Sequence, residues 1–221
     1  MFFWIVGSLW ANPIPADQAF RFDPKKTPYD YLQADKGSKL PDSVSVEKDG
    51  EGGNLAFRGG GGFFWFHPGQ EVFVTGGEIR IRLRTTSGGS FGVLLGAEKG
   101  GDPVYLVFLS INQDRSVLML SKSTAISAQD PGKNNLSRQI SKIESSGQWR
   151  DLKIIFNEDK TGGVNISAEL LDEMGKLISV VAATDGANLM RPKGKIGLRI
   201  SIEAKTGAGA IEIQNISLRK V

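Results

Sequence analysis

The chain has 221 residues, no Cys, one His and a net charge of +3 from 27 basic and 24 acidic side chains. This composition excludes disulfide frameworks, thiolate metal sites, Cys nucleophiles and zinc sites built from several His. The charges are interspersed, which argues against a nucleic-acid-binding protein with a clustered basic surface. A chain of this length suits one large β domain.

The first segment is an apolar run of residues 2–11, which Pro13 and Pro15 follow. The run is too short to span a bilayer as a helix, but it matches the apolar core of a signal peptide. No Lys or Arg precedes it, so an N-terminal strand is the alternative. We expect residues 1–16 to be a signal peptide and the mature protein to be secreted or periplasmic. We expect no membrane span after processing.

Residues 17–42 are polar and contain Pro24 and Pro28, and we expect this segment to wrap along the protein surface. Its expected anchors are aromatic: Phe20, Phe22, Tyr29 and Tyr31. Over residues 43–221 the apolar residues alternate with a period of two, in roughly a dozen short segments divided by turn residues. This pattern predicts a single all-β domain, an antiparallel two-sheet sandwich of the jelly-roll type.

The clearest strand covers residues 77–86, where apolar side chains alternate with Arg80, Arg82 and Arg84. One face of each such strand is predicted to form the core. The predicted core residues are Ile79, Ile81, Leu83, Leu152, Ile154, Phe156, Ile196, Leu198 and Ile200. Between residues 123 and 146 the apolar residues have helical spacing, so a short helix or an irregular loop is expected there.

The last strand changes phase along its length. Ile211 and Ile213 follow one alternation, and Ile216 and Leu218 follow the other. A slip of one residue in a period-two pattern is typical of a β-bulge. We therefore predict a bulge at residues 214–215.

Two stretches of the C-terminal half carry a family resemblance. Residues 147–149 (Gly-Gln-Trp) resemble the Gly-x-Trp that opens a strand in concanavalin A-like proteins. Residues 194–198 (Gly-Lys-Ile-Gly-Leu) and 211–218 (ending Asn-Ile-Ser-Leu) resemble their closing strand pair. The resemblance covers residues 77–221, and it is strongest to the 3-keto-disaccharide hydrolase family and to laminin G-like domains. It implies a concanavalin A-like sandwich with a carbohydrate or a cell-surface protein as its partner, and it carries over no catalytic residue.

A carboxylate triplet is the one candidate catalytic group. Glu47, Asp49 and Glu51 match the Glu-x-Asp-x-Glu of laminarinase-like glycosidases, which share this fold and use two carboxyls about 5–5.5 Å apart. The same residues surround Gly50 and precede Gly52 in a strong turn sequence. A solvated hairpin tip is the favoured interpretation.

Two further glycine motifs are predicted to be structural. Residues 88–92 fit Gly-x-Ser-x-Gly, but a nucleophile elbow needs a helix after the serine, and residues 91–97 are predicted to form a strand. Ser90 is therefore expected in a hairpin, and His67 at a strand end. The glycines at 59–62 are predicted to form a turn.

The candidate ligand surface combines Trp65 with Arg80, Arg82 and Arg84. A row of Arg on one strand face is either a solvated surface or a site for an anionic glycan. In the strand at 63–66, one aromatic pair fills the core. The other pair stacks on a sugar ring or is covered by the segment before residue 43.

Calcium is the only cofactor that the sequence suggests. The turns at residues 112–114 and 157–159 contain Asn, Gln, Asp and Glu, whose oxygens calcium prefers, although turn chemistry explains them equally well. The sequence favours a glycan-recognition or interaction domain without catalysis. A glycoside-cleaving enzyme and a structural domain without a small ligand are the alternatives.

Overall fold

The computed structural model describes residues 20–34, 44–50, 52–66, 76–86, 88–95, 104–112, 114–123, 135–143, 147–158, 160–186, 199–204 and 210–220. These residues form a single-turn 3-10 helix, Pro28–Asp30, and fifteen strands. The strands are β1 (Phe20–Arg21), β2 (Leu32–Ala34), β3 (Val44–Asp49), β4 (Gly52–Arg58), β5 (Gly60–Phe66), β6 (Gly76–Thr85), β7 (Gly89–Leu95), β8 (Val104–Asn112), β9 (Arg115–Ser123), β10 (Asn135–Lys142), β11 (Arg150–Glu158), β12 (Val164–Leu171), β13 (Leu177–Asp185), β14 (Arg199–Ala204) and β15 (Ala210–Lys220). Within these ranges, no helix has the length and apolar character needed to cross a membrane.

The strands form two antiparallel sheets. The eight-stranded sheet has the order β13-β12-β11-β6-β15-β4-β3, with β1 added beside β15. The seven-stranded sheet has the order β10-β9-β8-β7-β14-β5-β2. Successive strands repeatedly change sheets, as in a jelly roll, because short antiparallel strands joined by tight turns bury one face each against a second sheet. The predicted all-β antiparallel sandwich is confirmed.

The core lies between the two sheets and follows the predicted alternation. Six of the predicted core residues are buried: Ile79, Ile81, Leu83, Leu152, Ile154 and Phe156. Each removes a large aliphatic or aromatic side chain from water, which stabilises the fold by about 1.5–3 kcal/mol. Ile196 and Leu198 lie outside the described residues, as does the side chain of Ile200.

The predicted bulge in the last strand is confirmed. The register of β15 against β6 shifts between Ile213 and Asn215. The shift lets Ile213 and Ile216 both face the core, although an odd number of steps separates them. The bulge also marks a change of partner, since residues 210–213 of β15 pair with β4 and residues 215–216 pair with β1.

A strand replaces the helix or loop expected between residues 123 and 146. β10 pairs with β9 as the edge strand of the seven-stranded sheet. Leu136 and Ile140, which suggested a helix, are 39% and 57% exposed, so their spacing does not mark a buried stripe. Gln139 faces the neighbouring edge strand β13, and its side-chain oxygen accepts a hydrogen bond from the Val180 amide at 2.9 Å.

The polar segment before residue 43 contributes to both sheets. β1 pairs with β15 and β2 pairs with β5. Phe22 and Tyr31 are buried anchors that meet edge to face with ring centroids 5.0 Å apart. Tyr29 is 71% exposed, so its predicted role as an anchor is wrong. The side chain of Phe20 lies outside the described residues.

Two of the predicted glycine turns are partly strand. β5 begins at Gly60, so most of the turn expected at residues 59–62 belongs to a strand. Ser90 lies within β7, a strand that continues to Leu95 instead of leading into a helix. The local geometry that a nucleophile elbow requires is therefore absent at Ser90. His67 lies outside the described residues.

Candidate binding site

The outward side of the eight-stranded sheet carries most of the charged side chains that the sequence singled out. Because Ile79, Ile81 and Leu83 face the core, the alternating Arg80, Arg82 and Arg84 lie on the opposite side of the sheet. We call the charged part of this outward side, on β3, β4, β6, β15 and the adjoining parts of β11 and β12, the polar face. It comprises Ser45, Glu47, Asp49, Asn54, Arg58, Glu78, Arg80, Arg82, Arg84, Trp149, Asp151, Lys153, Glu169 and Glu212.

Each of the three arginines on β6 has a carboxylate partner. Arg84 lies directly opposite Glu212, and its Nε and Nη2 donate to Glu212 Oε2 at 3.0 and 2.7 Å. Arg82 lies between two carboxylates, at 3.6 Å from Asp151 and 3.4 Å from Glu173. Arg80 lies 3.5 Å from Glu78. The positive charges of Arg80, Arg82 and Arg84 are therefore compensated by carboxylates, which argues against an anionic ligand at this surface.

Trp149 supplies an aromatic surface on the polar face. The guanidinium carbon of Arg84 lies 4.5 Å from the Trp149 ring centroid, and that of Arg82 lies 6.0 Å from it. Such cation–π contacts contribute about 0.5–1 kcal/mol each at partly exposed positions. In the sequence, Trp149 stands out only as part of the Gly-Gln-Trp motif at residues 147–149. Trp149 and Asp151 are two positions apart, and this period-two spacing indicates that both side chains lie on the outward side of the sheet.

Asn54 connects two groups of candidate residues that are far apart in the sequence. Its side chain is buried, and its Nδ2 donates to Asp49 Oδ2 at 3.0 Å and approaches Glu212 Oε2 at 3.4 Å. Through Glu212 this network reaches Arg84. Asn54 Oδ1 is buried and has no hydrogen-bond partner among the described residues. The network fixes the positions of these polar groups.

The candidate catalytic triplet is only partly on a strand. Glu47 and Asp49 lie in β3, the turn follows at Gly50, where φ is +58°, and Glu51 lies outside the described residues. Arg58 holds Glu47 through two hydrogen bonds of 2.7 and 2.6 Å. These bonds, together with a hydrogen bond from Ser45, lower the pKa of the Glu47 carboxyl. Glu47 is therefore ionised and poorly suited to be a general acid.

The structure divides the predicted ligand surface between the two sheets. Arg80, Arg82 and Arg84 belong to the eight-stranded sheet, whereas Trp65 belongs to β5 of the seven-stranded sheet. The backbone of Trp65 pairs with that of Gln33 and Arg199, and its side chain lies outside the described residues. Among the described side chains, it is Trp149 whose ring lies over Arg82 and Arg84.

The structure does not assemble a calcium site from the residues it describes. In those ranges, no group of three or more His, Asp or Glu is placed to hold a metal ion. Asp114 lies in an exposed turn 3.8 Å from Arg115, and Asn157 belongs to β11 instead of a turn. Gln113 and Asp159 lie outside the described residues.

No family model matches the chain, and no curated protein matches it by sequence. Solved structures do match it. The legume lectin-like domain from Entamoeba histolytica superposes with a TM-score of 0.54 at 11% identity, over 91% of this chain and 97% of that one. Arcelin-5, a lectin-like defence protein from Phaseolus vulgaris, superposes with 0.54 at 11% identity, over 92% and 97%. The potassium-bound carbohydrate recognition domain of Emp46p superposes with 0.51 at 10% identity, over 84% and 98%.

Identities this low are informative about the fold alone. All three neighbours are covered almost completely, so the likeness extends over a whole domain and is not confined to a shared motif. Together with the two antiparallel sheets, it shows that the chain has the fold of the concanavalin A-like superfamily.

Proposed function

We propose that this protein is a glycan-recognition domain without catalytic activity, which acts outside the cytoplasm and binds its ligand on the polar face. The observation that carries the proposal is the contact of the Trp149 ring with Arg84, which is hydrogen-bonded to Glu212 and through it connected to Asn54. An aromatic ring packs against the C–H faces of a sugar, and the partly exposed guanidinium groups of Arg82 and Arg84 donate hydrogen bonds to its hydroxyls. A rigid sheet loses little entropy on binding.

The structural neighbours support a carbohydrate ligand. They include a legume lectin-like domain, a lectin-like defence protein and a carbohydrate recognition domain. The apolar run at residues 2–11 supports action outside the cytoplasm, since its length is that of a signal-peptide core. N-terminal sequencing of the protein from its native host tests this part, and a mature start between residues 9 and 17 is expected. An intact Met1 on cytoplasmic protein would exclude export.

The main alternative is a glycoside-cleaving enzyme that uses Glu47 and Asp49. Such an enzyme needs one carboxyl that is protonated at the working pH and a second that is ionised. The Arg58 guanidinium lowers the pKa of Glu47, so Glu47 does not serve as the acid. Asp49 accepts a hydrogen bond from Asn54 at 3.0 Å, which ties its carboxylate into the polar network. These contacts favour binding over catalysis.

One experiment separates the alternatives. The purified protein is screened for binding to a glycan library, and the bound glycans are assayed for turnover with and without calcium. We expect binding without turnover. Trp149→Ala should weaken binding by about tenfold or more, the loss typical of an aromatic residue at the centre of a binding surface. Tyr29→Ala is the matched control, because Tyr29 is an exposed aromatic residue outside the polar face.

Three other results would contradict the proposal or move the binding site. Turnover that is lost in Glu47→Gln or Asp49→Asn would favour the enzyme. No binding and no turnover would favour a structural domain without a small ligand. Binding that survives Trp149→Ala combined with Arg82→Ala, but is lost in Trp65→Ala, would place the ligand on the seven-stranded sheet.

A further inference from the structure

The outward side of the eight-stranded sheet has a second feature, away from Trp149. A groove of about 460 Å³ lies across β11, β12 and β13. We call it the amide groove, and the outward-facing residues that line it are Ile155, Asn157, Asn165, Ser167, Ala182 and Thr184. Its volume is within the range of about 300–1,000 Å³ that is typical of small-molecule sites.

The groove exists because short side chains occupy alternate positions of β12 and β13. Ile155, Ser167 and Ala182 form one cross-strand row, and the row beside it contains Asn157, Asn165 and Thr184. Neighbouring strands are about 4.8 Å apart, so three strands give a floor about 10 Å wide. Small residues on the middle and outer strands leave that floor recessed.

The lining has the chemistry of a site for a neutral polyol. None of the described residues that line the groove carries a charge. The Thr184 hydroxyl donates to Asn165 Oδ1 at 2.6 Å, so the Asn165 amide presents its N–H₂ group as a donor. Ile155 and Ala182 supply apolar contacts. Phosphates and carboxylates usually need a cation or a helix N-terminus, and this lining has neither.

We infer that the amide groove is a subsite for a neutral saccharide, which binds through the Asn165 and Asn157 amides, the Ser167 and Thr184 hydroxyls and the apolar floor. The inference rests on the proposed glycan-recognition function and names the class of its ligand. The ion pairs that compensate Arg80, Arg82 and Arg84 point the same way, because a compensated face gives an anionic glycan little advantage.

The amide groove is distinct from the part of the polar face that surrounds Trp149. Trp149 immediately precedes β11 and Asn157 lies near its end, eight residues further on, which corresponds to about 26 Å of extended chain. A ligand that contacts both is therefore a chain of several sugars. A single sugar contacts one or the other.

The test uses the full chain and isothermal titration with two probes of equal length, a neutral oligosaccharide from the library screen and a uronic-acid oligosaccharide. Ala182 is exposed, so Ala182→Trp fills the groove from the solvent side. It should weaken neutral-glycan binding by about tenfold or more. Leu177→Trp is the matched control, since it adds the same ring to an exposed position of β13 outside the groove and should leave binding unchanged. Should Ala182→Trp not fold, Asn165→Ala is the second variant, with an expected loss of about two- to tenfold.

Four outcomes decide the inference. The inference is supported if Ala182→Trp and Asn165→Ala weaken neutral-glycan binding by the expected factors, and if the wild-type affinity changes by less than about twofold between about 50 and 500 mM salt. Binding that survives both variants but is lost in Trp149→Ala overturns the groove and leaves the proposed function intact. Binding of the uronic-acid probe alone also overturns the groove. Failure to bind any glycan overturns both.

Discussion

Arg84 and Glu212 face each other directly on neighbouring strands, and two nitrogens of the guanidinium donate to one carboxylate oxygen. The Glu212 side chain is only 6% exposed, and Asn54 reaches the same oxygen from β4. Trp149 packs against the guanidinium. This pair is therefore the centre of the polar face, where a charge that is costly to bury is held by partners from the two neighbouring strands, β6 and β4.

Removing Arg84 should destabilise the fold. Arg84→Met leaves the buried Glu212 carboxylate without its counter-charge, and we expect the free energy of unfolding to fall by about 2 kcal/mol. Urea denaturation measures this change. Arg80→Met is the matched control, because Arg80 is half exposed and 3.5 Å from its partner, and it should change the free energy by less than about 0.5 kcal/mol. If Arg84→Met combined with Glu212→Gln costs as much as the sum of the single changes, the two residues are not coupled.

The Glu47 carboxyl should titrate below its ordinary pKa of 4.5, because the hydrogen bonds from Arg58 favour its ionised form. A lowered pKa in the folded state contributes stability above the ordinary pKa of glutamate, and this contribution is lost as the pH falls through the lowered value. NMR titration of the Glu47 side-chain carboxyl measures the pKa in the wild type and in Arg58→Ala. The variant should move it upward, and an unchanged pKa would show that Arg58 is not the cause.

The two sheets are joined at one edge by a hydrogen-bonded cluster. Asp185 of β13 accepts a hydrogen bond from the Tyr105 hydroxyl at 2.7 Å and is ion-paired with Lys122, and both of these partners belong to the seven-stranded sheet. Tyr105 is fully buried, so Tyr105→Phe should lower the free energy of unfolding by about 1 kcal/mol through the lost hydrogen bond. Asp185→Ala should cost more, because it removes the acceptor for both partners. Equal losses in thermal unfolding experiments would contradict this ranking.

Gly53 makes room for the N-terminal segment. A Cβ at this position would lie 2.8 Å from the Phe22 carbonyl oxygen and 3.1 Å from Val46 Cγ1. Gly53→Ala should therefore destabilise the fold by about 1–3 kcal/mol, the cost of overpacking a close contact. Gly52→Ala is the matched control, since its Cβ would meet nothing nearer than 4.0 Å. Equal stability of the two variants would show that Phe22 does not pack against β4 as the structure describes.

The fold was predictable because its strands carry a regular alternation. Ile79, Ile81 and Leu83 mark the core side of β6 without any knowledge of their partners, and the change of phase in the last strand marks its bulge. β10 was missed because it is an edge strand. Its inward positions, Gln139 among them, are polar, while the exposed Ile140 imitates a helical pattern.

The candidate site was predictable only in part. Alternation placed Arg80, Arg82 and Arg84 on the outward side, but their partners depend on strand order. Glu212 is 128 residues from Arg84 in the sequence, and the two meet only because β15 inserts between β6 and β4. The same pairing joins Asp49 to this network through Asn54. Local sequence patterns carry no information about such long-range neighbours.

We propose that a glycan binds on the outward side of the eight-stranded sheet without being cleaved. Backbone amide NMR shifts, recorded while the best glycan from the library screen is added, locate the bound glycan. We expect the largest shifts on β6, β11 and β12, and on Trp149, with no product signals in the sugar spectrum. Shifts confined to the seven-stranded sheet, or the appearance of cleaved glycan, would contradict this proposal.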